Sequence, residues 1–166
     1  MNAQTKFGSL DHFDKGGIDI TGHDTPGRYL FSNMFEVARN AAPWERTVVA
    51  KNLEFTIEVS RTEGASPWYI CAHDETVLVM DGALEVHFVK PGDDHVVPPA
   101  DKEGAVRLSG EPAGATMGHV AATRGHLVLL PAGAAYQLRA AGPGVALYQS
   151  VLGEESLEKW AEICLR

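Results

Sequence analysis

His73 and Glu75 stand two residues apart, and in an extended chain side chains at that spacing point the same way. An imidazole beside a carboxylate can bind a ligand, contribute to a metal site, or close a local hydrogen bond at a strand start. The local hydrogen bond is the expectation here. A cryptic metal cluster would have to recruit His119 to His73 and Glu75. His87 alternates with Val86 and Phe88 and is expected to face solvent. His95 falls in a loop, and His119 and His126 fall at strand starts, so spacing reveals no second cluster. Tyr136 is a hydrogen-bond donor that can line a pocket. Other chemistries find no support: there is no phosphate-cradling glycine loop with Lys and Ser or Thr, and no Ser or Cys in a nucleophile elbow.

The elements that must position these residues are mostly strands. From Lys51 the chain alternates, with Leu53, Phe55, Ile57 and Val59 on one face and Asn52, Glu54, Thr56 and Glu58 on the other. Strand runs follow at 76–80, 83–89, 105–108, 118–122, 127–130, 136–138 and 145–152, separated by turn residues such as Asp81-Gly82 and Pro91-Gly92. Many short strands punctuated in this way predict an antiparallel sandwich or barrel over 47–152. The proline-rich stretch between Lys90 and Gly114 reads as a long loop with one short strand. Residues 1–46 form an irregular N-terminal arm with one short helix, Asn33 to Arg39, opened by a weak capping box of Asn33 and Glu36. The arm carries Phe7, Phe13, Tyr29, Phe31, Phe35 and Trp44, more aromatic surface than a solvated tail needs. Phe31, Phe35 and Trp44 are the expected anchors of a partner interface of roughly 2,000 Å² or more. At 153–166, Leu157, Trp160, Ala161 and Cys164 recur at helical spacing behind Glu154 and Glu155, which predicts a short C-terminal helix.

Two segments resemble the cupin family. Glu75 and Gly82 are separated by six residues, with Gly64 upstream, as in the first cupin motif. Gly125, Pro131, Gly133 and Tyr136 follow the spacing of the second. The resemblance implies a double-stranded β-helix, or jelly-roll, barrel. It also implies a metal site of three imidazoles and one carboxylate, and there this sequence departs from the family. The first two histidine positions fall on Trp68 and Ile70, or on Tyr69 and Cys71, depending on the gap before Glu75. The last falls on Tyr136. Glu75 alone remains, and one carboxylate cannot hold a catalytic ion, so no metal is expected in this chain. Trp68, His73, Glu75 and Tyr136 are the candidate pocket residues. A Glu75 buried without metal needs a partner, and His73 or Tyr136 is the natural one.

Longer phrases go beyond the general family. Leu30 to Arg39 (LFSNMFEVAR), Ala42 to Glu45 (APWE), Val48 to Leu53 (VVAKNL), Glu63 to Trp68 (EGASPW) and Leu130 to Tyr136 (LPAGAAY) resemble the small subunit of two-component hydroquinone 1,2-dioxygenases. That resemblance implies an enzyme using Fe(II) and O2 to open hydroquinone to 4-hydroxymuconic semialdehyde. It implies a heterotetramer of two small and two large subunits with the iron in the large one, so the small chain is expected to be non-catalytic.

Composition agrees with such a role. The chain has 166 residues, enough for one domain with a real core, and a formal net charge of −8 that argues against nucleic acid or anionic membrane as partner. No apolar run approaches the ~18 residues of a membrane span, no secretion signal opens the chain, and Cys71 and Cys164 read as buried thiols. These features together point to the cytoplasm. The competing readings are a stand-alone cupin enzyme, with unusual ligands or a Tyr136–His73 pair, and a metal-free cupin that binds a small molecule.

Overall fold

The structure is a computed structural model and describes residues 8–14, 16–20, 27–31, 33–52, 55–92 and 96–159. In chain order its elements are β1 (Gly16–Ile20), β2 (Gly27–Phe31), α1 (Met34–Asn40), β3 (Arg46–Asn52), β4 (Phe55–Ala65), β5 (Tyr69–Ile70) and β6 (Glu75–Asp81). They continue with β7 (Ala83–Pro91), β8 (Val106–Arg107), β9 (Gly114–Thr123), β10 (Leu127–Leu130), β11 (Ala135–Val151) and β12 (Ser156–Leu157). β1 and β2 pair as an antiparallel hairpin of their own, and β3 to β12 form one curled sheet, a cupin barrel.

The seam of the barrel is β11. Residues 135–139 pair with β7, while residues 145–149 pair with β6 and 144–151 with β4. A bulge between Ala140 and Gly144 bends the strand between these two sets of neighbours. The two strand runs expected at 136–138 and 145–152 are one continuous strand in the structure. The four motif glycines lie in the left-handed region, Gly64 at φ 71°, Gly82 at 75°, Gly125 at 89° and Gly133 at 72°. A side chain would be strained in those turns.

Burial along the strands shows which face is inside. In β6 Glu75, Val77 and Val79 are buried, and in β10 Val128 and Leu130 are, with Leu127 and Leu129 turned out. In β4 the fully buried set is Thr56, Glu58, Ser60 and Thr62 together with Val59. The polar face of β4 therefore lines the barrel. Its apolar face is covered by the arm, where Leu10, Phe35 and Ala38 pack on Val59 and Val145.

Two of the expected interface anchors, Phe35 and Trp44, are 6% and 7% exposed and pack against this chain's own barrel. The backbone at Gly8 passes so close over Phe35 that a Cβ there would fall 2.5 Å from the ring. Trp44 joins the barrel core with φ at 64°, held by its backbone N–H to Arg61 O at 2.9 Å and its indole N–H to Glu63 O at 2.8 Å. A bulky residue in that region stores about 1–3 kcal/mol of strain, which these bonds offset. The side chain of Phe31 lies outside the described residues. The short helix forms as expected at Met34–Asn40, with Asn33 capping it by accepting from Phe35 N–H at 3.0 Å.

The C-terminal helix is corrected over the part described. Residues 154 and 155 turn, and β12 then runs parallel to β3, with Ser156 opposite Arg46. Long-range partners decide this. Ser156 donates to the buried Glu58 at 2.5 Å, Lys51 pairs with Glu158 at 2.9 Å, and Lys159 pairs with Glu45. The remainder of that helix, including Trp160 and Cys164, lies outside the described residues.

Candidate functional site

Inside the barrel, where the motif residues converge, sits an arginine that motif spacing does not reveal. Arg46 enters from β3 and is 3% exposed. Its Nε donates to Glu58 Oε2 of β4 at 2.5 Å, and its Nη2 donates to Glu75 Oε1 of β6 at 2.8 Å. Both carboxylates are buried, with 0% and 1% of their surface exposed. The guanidinium carbon lies 4.4 Å from the centre of the Tyr148 ring, a cation–π contact in a dry setting.

Hydroxyls complete the network. Glu75 accepts from the Tyr136 hydroxyl on Oε2 and from Ser150 Oγ on Oε1. Glu58 accepts from Thr56 Oγ1 at 2.9 Å and from Ser156 Oγ on Oε1, and Tyr148 shares a hydrogen bond with Ser60 at 3.1 Å. Both carboxylates are thus saturated with charged or hydroxyl donors, which makes two buried anions tolerable. Burial alone would drive Glu75 upward. The charge of Arg46, with hydrogen bonds from Arg46, Cys71 and Ser150, outweighs it and holds the carboxyl at about 2. Burial, with the Glu75 charge adding to it, pushes the Tyr136 and Cys71 protons well beyond their ordinary range, so both stay protonated. Burial moves Tyr148 up to about 12.

The alignment left open by the sequence is decided by side-chain direction. Tyr69 and Cys71 belong to the interior cluster with Tyr136, and the Tyr69 and Tyr136 rings lie 5.8 Å apart. Trp68 and Ile70 point the other way, into a separate cluster with Val89 and Ala135. Trp68 is therefore not an interior pocket residue. The four positions that carry ligands in metal-binding cupins are Tyr69, Cys71, Glu75 and Tyr136 here.

His73 does not join them. It precedes β6 in a loop, so strand alternation does not apply to it. Its Nδ1 contacts Asp74 O at 3.1 Å and its Nε2 accepts from Gly104 N–H at 3.1 Å. A proton on Nδ1 satisfies both contacts, and the residue ties two loops together. Of the two expected partners for Glu75, Tyr136 is the one that pairs. His119 stands on β9, stacked on His87 at 5.2 Å, and has no part in a cluster with Glu75. Among the described residues no three His, Cys, Asp or Glu side chains gather as a group that could hold a metal ion. The residues at the barrel centre do not fit the cupin ion: two of the histidine positions are phenols, one is a protonated thiol, and the carboxylate is already neutralised by Arg46.

The sequence signal that could have found Arg46, Glu58 and Ser150 is weak. Glu58 and Thr56 lie on the polar side of an alternating strand, which ordinarily faces water. Only closure of the barrel turns that side inward.

The chain is similar to hydroquinone 1,2-dioxygenase from Sphingomonas sp. TTNP3, solved with 4-hydroxybenzoate bound, at 45% identity and a TM-score of 0.89 over 98% of each chain. The chain belongs to the hydroquinone 1,2-dioxygenase family. Hydroquinone 1,2-dioxygenase PnpCD, solved with Cd2+ and 4-hydroxybenzonitrile, is similar at 44% identity and a TM-score of 0.87, over 99% of this chain and 98% of that one. A different chain, in a structure of hydroquinone 1,2-dioxygenase PnpCD with Fe3+, shares the fold at 11% identity and a TM-score of 0.53. The match covers 71% of this chain but 31% of that one, so that chain is more than twice as long. No family model and no curated protein sequence matches. Structures of hydroquinone 1,2-dioxygenase PnpCD hold Cd2+ in one case and Fe3+ in another, and the present chain is a subunit of a dioxygenase of this family. Among the described residues no helix is long and apolar enough to cross a membrane.

Proposed function

We propose that this chain is the small, non-catalytic subunit of an Fe(II)-dependent hydroquinone 1,2-dioxygenase. The complex would insert both atoms of O2 into hydroquinone and open the ring to 4-hydroxymuconic semialdehyde. The observation that carries the division of labour is the barrel centre. Arg46 is ion-paired there with Glu58 and Glu75, and Tyr69, Cys71 and Tyr136 stand at the three histidine positions. Iron then belongs to a larger partner. The occurrence of a second, much longer chain of the same fold under the same enzyme name supports that partner, in a heterotetramer of two small and two large subunits. The para-substituted phenols in the related structures support a para-diphenol as substrate of the complex.

The test is to express the chain with and without the larger one, then measure iron content, subunit ratio and O2-dependent consumption of hydroquinone. The reading expects iron and activity only when the larger chain is present, and equal numbers of the two subunits. Stoichiometric iron in the small chain alone, or ring cleavage by it alone, would overturn the reading.

A further inference from the structure

Arg46 donates to both carboxylates and also approaches Tyr136, with Nη1 3.4 Å from its hydroxyl. Its partners come from three different strands, β4, β6 and β11. Two of them, Glu75 and Tyr136, are motif positions on which a metal-binding barrel converges. We propose that the Arg46 guanidinium is a built-in cation that replaces a metal ion at the centre of this barrel, and that removing it opens a divalent-cation site between Glu58 and Glu75.

Charge is the first ground. Two buried carboxylates face one guanidinium, and without it they would be left desolvated and mutually repelling. A barrel with no histidine at the motif positions but with the carboxylate in place needs a cation from elsewhere, and β3 supplies one through a side chain long enough to reach the centre. Donor geometry is the second. Hydroxyls of Thr56, Ser150, Ser156 and Tyr136 already hold both carboxylates in place. With the guanidinium gone, Glu58 Oε2 and Glu75 Oε1 would lose their shared partner and face the space it leaves. That donor set is all oxygen, which suits a hard cation such as Mn2+. The proposal rests on the reading of the native chain as metal-free.

The test uses the full-length chain in three forms: native, Arg46→Met, and Arg46→Met with Glu58→Gln and Glu75→Gln. Melting temperature is followed in EDTA and in MnCl2, and bound manganese is counted by elemental analysis. Manganese is expected to raise the melting temperature of Arg46→Met and to bind it about one to one. The native chain and the triple variant should be indifferent. If Arg46→Met yields no folded protein, the triple variant decides. A folded triple variant supports the proposal, because only the unneutralised carboxylates distinguish the two. A triple variant that also fails to fold overturns it, as does a folded Arg46→Met that ignores manganese. Stoichiometric metal in the native barrel would instead refute the metal-free reading itself, and it shows without any substitution.

Discussion

Replacing Glu75 by Gln removes one negative charge from the barrel centre while keeping its shape. The native carboxyl titrates at about 2, against about 4.5 for an ordinary glutamate. A difference of that size corresponds to about 3 kcal/mol favouring the folded state when the group is ionised. The folded value is depressed, so this stability is fully present above pH ~4.5 and is lost as pH falls towards 2. Urea unfolding of the full-length chain between pH 7 and pH 2 should show the native protein losing about 3 kcal/mol more than Glu75→Gln across that window. At pH 7 the substitution should cost a similar amount, because Arg46 keeps only Glu58 and the cluster loses its cross-strand tie. A cost below about 1 kcal/mol at pH 7, or parallel pH curves for the two proteins, would refute the view that Arg46 and Glu75 form a tightly coupled buried pair.

Cys71, buried and held protonated, should resist alkylation by iodoacetamide at pH 8 in the folded chain and react only after unfolding, as mass spectrometry would report. Phe35→Ala should destabilise the chain itself by about 3–5 kcal/mol, seen as a lower urea midpoint, because the ring fills the space between α1 and β4. If instead only association with the larger chain weakened, Phe35 would be an interface anchor after all. His73→Ala should leave metal content unchanged and cost about 1 kcal/mol in the same unfolding assay through loss of the tie to Gly104.

The sequence by itself determined the scaffold. Gly64, Gly82, Gly125 and Gly133 mark the turns, and the strand runs expected at 76–80 and 127–130 recur as β6 and β10. Local chemistry suffices for these features, since backbone freedom and apolar burial act within a few residues. Asn33 capped its helix for the same reason. Glu75 and Tyr136 could be placed by motif spacing, and their pairing could be anticipated because a buried carboxylate needs a donor. Tertiary structure decided the rest. The direction of Tyr69 and Cys71 against Trp68 and Ile70 depends on how β5 meets β8 and β11. The C-terminal periodicity over Glu154 to Leu157 lost to β12 because Ser156 found Glu58, 98 residues away. Arg46, the cation at the centre, belongs to no motif of the sequence. Its two partners lie 12 and 29 residues on, and only the closed barrel removes enough water for one guanidinium to take the place of an ion.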